Sequence, residues 1–158
     1  MFVSDNVNEK GHLTIGGIDT VDLAKEYGTP LYVMDEQVVR KNLRRFHESM
    51  QKYYGGRGEV HYASKAFSCL EMCRIVASEG DGLDAVSIGE LYTAVKAGFP
   101  MDKVGFHGNN KTNDELEYAL DCGVGHIIVD NISELHRLEK IAAEKGVKAN
   151  IMFRIKPG

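Results

Sequence analysis

Lys65 closes an apolar run, Val60-His61-Tyr62-Ala63-Ser64, and stands just ahead of a helix start marked by Ser68 and Glu71. Further strand-then-helix units follow at nearly equal spacing, and their strands end at Asp84, His107, Asp130 and Arg154. In a parallel α/β fold the carboxyl ends of the strands share one face, so these five side chains are expected to converge there. A primary amine becomes a nucleophile toward a carbonyl carbon when burial or a nearby cation lowers its pKa. The chemistry expected is capture of an aldehyde by a buried-stem Lys65, with a carboxylate to hold the ammonium and move protons. Asp84 and Glu90 are the candidates for that carboxylate.

Taken singly, each residue also has a plainer explanation. A lone lysine at a strand end is ordinarily solvated. Glu90 follows Ser87 by three positions, so it can complete a capping box at a helix start. Asp130 precedes Asn131 and can tie down the next helix. Arg154 can be an ion-pair partner, and His107, in a glycine-rich loop, can hydrogen-bond its own loop. Their joint occurrence at the ends of successive strands is what favours chemistry. The segment Gly105-Phe106-His107-Gly108-Asn109-Asn110-Lys111-Thr112 imitates a nucleotide-binding loop, but that motif needs glycine directly before the lysine and Asn110 stands there.

The elements that must position these residues repeat with a period of about 22 residues. Strand-like runs begin near Val60, Leu83, Val104, His126 and Ala149. Helix starts are marked by Ser68 with Glu71, Ser87 with Glu90, Thr112 with Glu115 and, approximately, Asn131 with Glu134. Helix ends are marked by Gly80, Gly98, Gly123 and Gly146. Ile127-Ile128-Val129 and Ile151-Met152-Phe153 are almost unbroken apolar runs, which predicts strands buried on both faces. Upstream, Leu31-Tyr32-Val33-Met34 predicts another strand. A long helix is predicted after it, with Val39, Leu43, Phe46, Met50 and Tyr53 on one stripe. The expected organisation is an N-terminal segment, residues 1–30, with one short helix between Thr20 and Gly28, and a (β/α) repeat over residues 31–158. No G-x-G-x-x-G follows a strand, which disfavours the dinucleotide-binding sheet, and the constant period favours a (β/α)8 barrel. A closed barrel takes about 250 residues, so the chain is expected to be the N-terminal part of a longer protein.

Composition sets the outer limits. With 158 residues, 43% hydrophobic, the chain can bury a core, and 19 basic against 23 acidic residues leave a net charge of −4. No basic block favours nucleic acid, and no apolar run favours a membrane or a secretory signal, so a cytoplasmic protein is expected. Three cysteines without metal spacing read as free thiols, Cys69 and Cys73 as core residues, and no metal site is expected.

Three segments carry a resemblance: Tyr62-Ala63-Ser64-Lys65-Ala66-Phe67, Gly82-Leu83-Asp84-Ala85-Val86-Ser87-Ile88-Gly89-Glu90-Leu91 and Phe106-His107-Gly108-Asn109-Asn110-Lys111. Together they resemble the diaminopimelate decarboxylases, a branch of the alanine-racemase-like pyridoxal phosphate barrels that also holds ornithine and arginine decarboxylases. Thr29-Pro30-Leu31-Tyr32-Val33 and Arg154-Ile155-Lys156-Pro157-Gly158 extend the likeness over the chain from about Leu13. The resemblance implies the first half or more of a TIM-type barrel, with residues 1–30 belonging to a second β domain. It implies that Lys65 carries pyridoxal 5'-phosphate covalently, that Asp84 and Glu90 neighbour that lysine, that Arg154 lies near the cofactor ring, and that His107 lines the pocket. Ser64 and Phe67 depart from the commoner Val and Asn. The implied reaction is decarboxylation of meso-2,6-diaminopimelate to L-lysine by a cytoplasmic homodimer. The 158 residues alone are expected to be inactive, because the family's phosphate-binding and substrate-binding residues lie further along. The alternatives are an ornithine or arginine decarboxylase, a racemase, a non-catalytic pyridoxal phosphate carrier, and a doubly wound ligand-binding domain.

Overall fold

The computed structural model describes residues 6–157, so the first five residues of the N-terminal segment and Gly158 lie outside it. Two compact units are present, Met1–Arg45 and Phe46–Gly158. The boundary between them falls within the helix Glu36–Tyr54.

The first unit is a small antiparallel meander of β1 (Asn6–Val7), β2 (Leu13–Ile15) and β3 (Ile18–Asp19), followed by α1 (Thr20–Tyr27). Its second turn is Gly16-Gly17, both at positive φ (58° and 81°). Only a turn of that hand lets strand twist run on through two residues. Asp19 caps α1 by accepting from Val21 N (2.8 Å), and it also accepts from Asn8 Nδ2 (2.8 Å) and contacts His12 Nδ1 (2.9 Å). The His12 hydrogen bond first, with those of Asn8 and Val21, holds its carboxyl well below the usual range. Leu31–Met34, expected as a strand, is not one. An extended run becomes a strand only by pairing, and no ladder partner is present among the described residues. Asp35 then caps α2 (Glu36–Tyr54), its Oδ1 accepting from Gln37 N at 2.9 Å and Val38 N at 3.2 Å.

The second unit carries the repeat: β4 (His61–Ala63), α3 (Leu70–Glu79), β5 (Gly82–Ala85), α4 (Ile88–Ala97), β6 (Val104–Phe106), α5 (Asn113–Cys122), β7 (His126–Val129), α6 (Ile132–Lys145) and β8 (Ile151–Phe153). All five strands are parallel, and their order in the sheet is their order in the chain. A doubly wound sheet must reverse its order somewhere, and this one does not. Right-handed crossovers in unbroken sequence put every helix on one face. On that face Leu83, Ala85, Val104, Phe106, Ile127 and Val129 are at most 1% exposed. Burial of each large side chain there stabilises by roughly 1.5–3 kcal/mol.

Helix ends follow the expected chemistry, with two changes. Gly80, Gly98, Gly123 and Gly146 close their helices in the left-handed region. Thr112 and Glu115 form a complete capping box. The cap of α3, however, is Cys69, whose Sγ accepts from Met72 N, one residue past the expected Ser68. Cys69 is therefore half-exposed at a helix start, while Cys73 is in the core. Asn131 caps α6 through Glu134 N (2.8 Å), but the Glu134 carboxylate turns inward instead of reaching back. The strand β8, expected to be buried on both faces, has Ile151, Met152 and Phe153 at 36–53% exposure. It is an edge strand, and no described element covers it.

Two positions at the amino ends of the strands give measurable consequences. An alanine Cβ at Gly125 would overlap the carbonyl oxygen of Asp102, which is backbone and cannot rotate away. Gly125→Ala is expected to destabilise the protein by about 2–3 kcal/mol or more, read as a lower urea midpoint at unchanged m-value. Asp81 has a fully buried side chain whose Oδ1 lies 2.5 Å from His47 Nε2. Burial pushes its carboxyl above the ordinary 3.8, and His47 offsets this only in part. A raised folded-state pKa means that folding favours the protonated form, so this group's contribution is full below pH 3.8 and is lost as pH rises. Asp81→Asn is therefore expected to be more stable than the parent at neutral pH, with the gap closing as the medium is acidified. An equal or lower midpoint at neutral pH would contradict the assignment.

Candidate active site

Lys65 sits in a single 3₁₀ turn, Ser64–Ala66, directly after β4. Two bonds pin that turn. The buried Ser64 donates from Oγ to the carbonyl of Asp84 (2.9 Å), and Tyr62 Oη donates to the carbonyl of Phe67 (3.1 Å). Ser64 thus ties the lysine turn to β5 with a hydroxyl that valine lacks. Phe67 contributes its backbone, which any residue supplies. The Lys65 side chain is exposed rather than buried along its stem, and it makes no hydrogen bond or ion pair with the described residues. The reason is the sheet's second face, which no helix among the described residues covers.

That open face is set by register. Asp84 pairs with Ala63 on one side and Gly105 on the other, and Gly105 pairs with His126. Paired residues share a face, so Ala63, Asp84, Gly105 and His126 line one row across four strands. Gly105 leaves a recess there, floored by backbone. A Cβ on it would lie 3.4 Å from Ile128 Cδ1, 3.8 Å from Asp84 Oδ1 and 3.9 Å from His61 Nδ1.

The other expected residues lie along the same carboxyl edge, with different degrees of engagement. Arg154 donates from Nη1 to Asp130 Oδ1 (3.0 Å), so the two close β7 and β8 as a pair. His107 extends the ladder through its N–H to the Ala85 carbonyl (2.8 Å), and its Nδ1 accepts from Gly108 N (2.8 Å). With Nδ1 an acceptor, the neutral ring carries its proton on Nε2. Glu90 is the exception. It is buried, and its Oε2 accepts from Val86 N (2.6 Å) and Ser87 Oγ (3.1 Å). Its carboxylate therefore holds the end of β5 against the start of α4 and is drawn away from the open face.

Sequence reasoning passed over the most deeply buried charges near this edge. Lys111 Nζ donates to the carbonyls of Gly108 (2.7 Å) and Ile128 (2.8 Å) and pairs with Glu134 Oε1 (2.8 Å). The signal was the repeat itself, since Glu134 lies one βα period beyond Lys111. A cavity of about 190 Å³ lined by His47, Gly58, Glu59, Gly82 and Lys103 lies at the opposite, amino ends of the strands. Barrel enzymes do their chemistry at the carboxyl ends, so the Lys65 face is the candidate site.

An exposed amine with no partner among the described residues, one strand from Asp84 and from a backbone-floored recess, suits a planar aldehyde-bearing group. Residues 38–158 match the family described as pyridoxal-dependent decarboxylase, pyridoxal binding domain. The chain is 53% identical over 152 residues to a diaminopimelate decarboxylase of Bacillus methanolicus, covering 96% of this chain and 35% of that protein. It is 52% identical over 157 residues to one of Methanothermobacter thermautotrophicus, covering 99% and 36%. A crystal structure of the M. jannaschii diaminopimelate decarboxylase with L-lysine superposes with a TM-score of 0.85 at 38% identity, covering 92% of this chain and 34% of that one. The chain thus spans about a third of the length of the relatives it matches.

Proposed function

Because the chain belongs to the pyridoxal-dependent decarboxylases through their pyridoxal-binding domain, we propose that its full-length gene product decarboxylates meso-2,6-diaminopimelate to L-lysine. The observation that carries this reading is the unpartnered Lys65 amine at the carboxyl edge of the sheet, in a chain 53% identical to a diaminopimelate decarboxylase.

Pyridoxal phosphate, when bound, supplies an aldehyde for amines and a ring that accepts the electron pair left by the departing carboxyl group. Lys65 is the residue that would hold it. As a free amine, Lys65 Nζ would also be a base able to hold or carry a proton at the open face. Asp84, on the adjacent strand end, keeps that ammonium on the open face by charge. Glu90 is proposed as a positioning residue, since it fixes the β5 end that carries Asp84. Arg154, fixed by Asp130, would face the cofactor ring, and His107 would offer an Nε2–H donor to the pocket. The antiparallel meander of β1–β3 supports assigning residues 1–30 to a second β domain, and the relatives' greater length supports an inactive isolated chain. A cytoplasmic homodimer is the assembly proposed.

The experiment treats the full-length gene product with pyridoxal phosphate and borohydride and maps the reduced adduct by mass spectrometry. An adduct at Lys65, with carbon dioxide released from meso-diaminopimelate and not from ornithine or arginine, is expected. An adduct elsewhere would overturn the assignment of Lys65, and release from ornithine or arginine would overturn the substrate.

A further inference from the structure

Lys111 and Glu134 form an ion pair whose side chains are 1% and 0% exposed. Lys111 donates to Gly108 O and Ile128 O, pairs by charge with Glu134 Oε1, and lies 5.8 Å from the centre of the Phe106 ring. It stitches three pieces together: the loop after β6, the strand β7 and the first turn of α6. Arg137 adds a fourth tie from α6, donating to the Lys111 carbonyl (2.9 Å) and to Asn113 Oδ1 (3.0 Å).

The grip on Gly108 matters most. Gly108 has φ +129°, a conformation that L side chains rarely adopt, and its two polar groups face different partners. Its carbonyl is held by Lys111, and its N–H is given to His107 Nδ1. Loops at strand ends are ordinarily mobile, yet this one is anchored to a charge in the core. A buried ion pair is weak evidence for stability, because an apolar pair of similar volume often serves as well. Its defined effect here is geometric.

We propose that Lys111, with Glu134 as its counter-ion, is a positioning residue that clamps Gly108 and thereby fixes His107 in the Nε2–H tautomer, as a ready donor at the Lys65 face. The inference rests on the decarboxylase reading only for what that donor meets, an acceptor atom of the bound cofactor or amino-acid substrate. A donor fixed before the ligand arrives needs no reorganisation when charge develops.

The test uses the full-length gene product labelled with 15N-histidine, with His107→Gln to assign the resonance, above neutral pH and without cofactor. The parent is expected to show a single Nε2–H tautomer at His107. A mixed or Nδ1–H ring in the parent would overturn the proposal without any Lys111 variant. In the double variant Lys111→Met/Glu134→Met, which removes both charges and keeps the volume, His107 is expected to become a mixture of tautomers. Borohydride trapping at Lys65 is expected to persist there, while kcat falls roughly ten- to hundredfold, the scale of a misplaced group. Glu134→Gln, a milder change, is expected to shift the tautomer balance in the same direction and supplies the readout if the double variant does not fold. An unchanged tautomer in a folded variant would overturn the proposal while leaving the decarboxylase reading in place. Loss of trapping at Lys65 in the parent would overturn that reading and leave the tautomer result standing.

Discussion

In the full-length gene product, and on the proposed function, Lys65→Ala is expected to abolish reductive trapping of pyridoxal phosphate and to lower decarboxylation by about 10⁴-fold or more, the scale on which loss of a covalent-catalysis residue acts. Stability should stay within about 0.5 kcal/mol of the parent, as for other exposed side chains away from packing. That split follows from the geometry. The Lys65 side chain is exposed and has no partner among the described residues, so the fold has nothing invested in it, and the turn is held instead by Ser64 and Tyr62. Lys65→Arg separates two explanations. Arginine keeps the positive charge but is not a nucleophile toward an aldehyde, so it should be as inactive as alanine. Trapping at an unchanged rate in either variant, measured by mass spectrometry of the reduced protein, would show that another amine does the work.

Lys111→Met carries the opposite expectation. It leaves the Glu134 carboxylate buried without its cation, and breaking a buried pair from one side costs about 3–5 kcal/mol. Adding Glu134→Met should restore most of that loss, because the penalty belongs to the stranded charge and not to the missing contact. Urea denaturation of the parent, the single variant and the double variant checks both halves. A single variant within about 1 kcal/mol of the parent would mean that water reaches Glu134 as the protein breathes, and that the pair is not dry.

Much of the second unit was legible because each boundary has a local cause. Gly80, Gly98, Gly123 and Gly146 each close a helix in the left-handed region, and Thr112 with Glu115 opens one, so the repeat could be read from single residues. The cap of α3 was misplaced by one residue because a thiol is a weak acceptor and Ser68 beside Cys69 looks the better one. Leu31–Met34 and Ile151–Phe153 were misjudged for a different reason. Their composition suits a covered strand, but pairing and coverage depend on what lies alongside, which a local run does not encode. That Lys65, Asp84, His107 and Arg154 lie along one edge is legible in the sequence because parallel strand ends share it. Glu90 has two possible employments by its spacing from Ser87, and its carboxylate accepts from Val86 N and Ser87 Oγ. Lys111 was set aside once the nucleotide-loop pattern failed. Nothing in the residues Asn109-Asn110-Lys111 marks a side chain that turns back into the core.

The side-chain links between successive βα repeats of the second unit share one trait. Ser64 reaches Asp84, Ile88 reaches Glu115, Lys111 reaches Glu134, Lys145 reaches Asp121 and Arg154 reaches Asp130, each an adjacent repeat away. Loop-closure entropy grows only slowly with length, so these short reaches are the least costly that a parallel sheet allows. Each such pairing still closes about one repeat of chain, and parallel sheets are slow to fold as a class. During synthesis each strand after β4 finds its docking partner already made, and the direction of translation coincides with the direction in which the sheet grows.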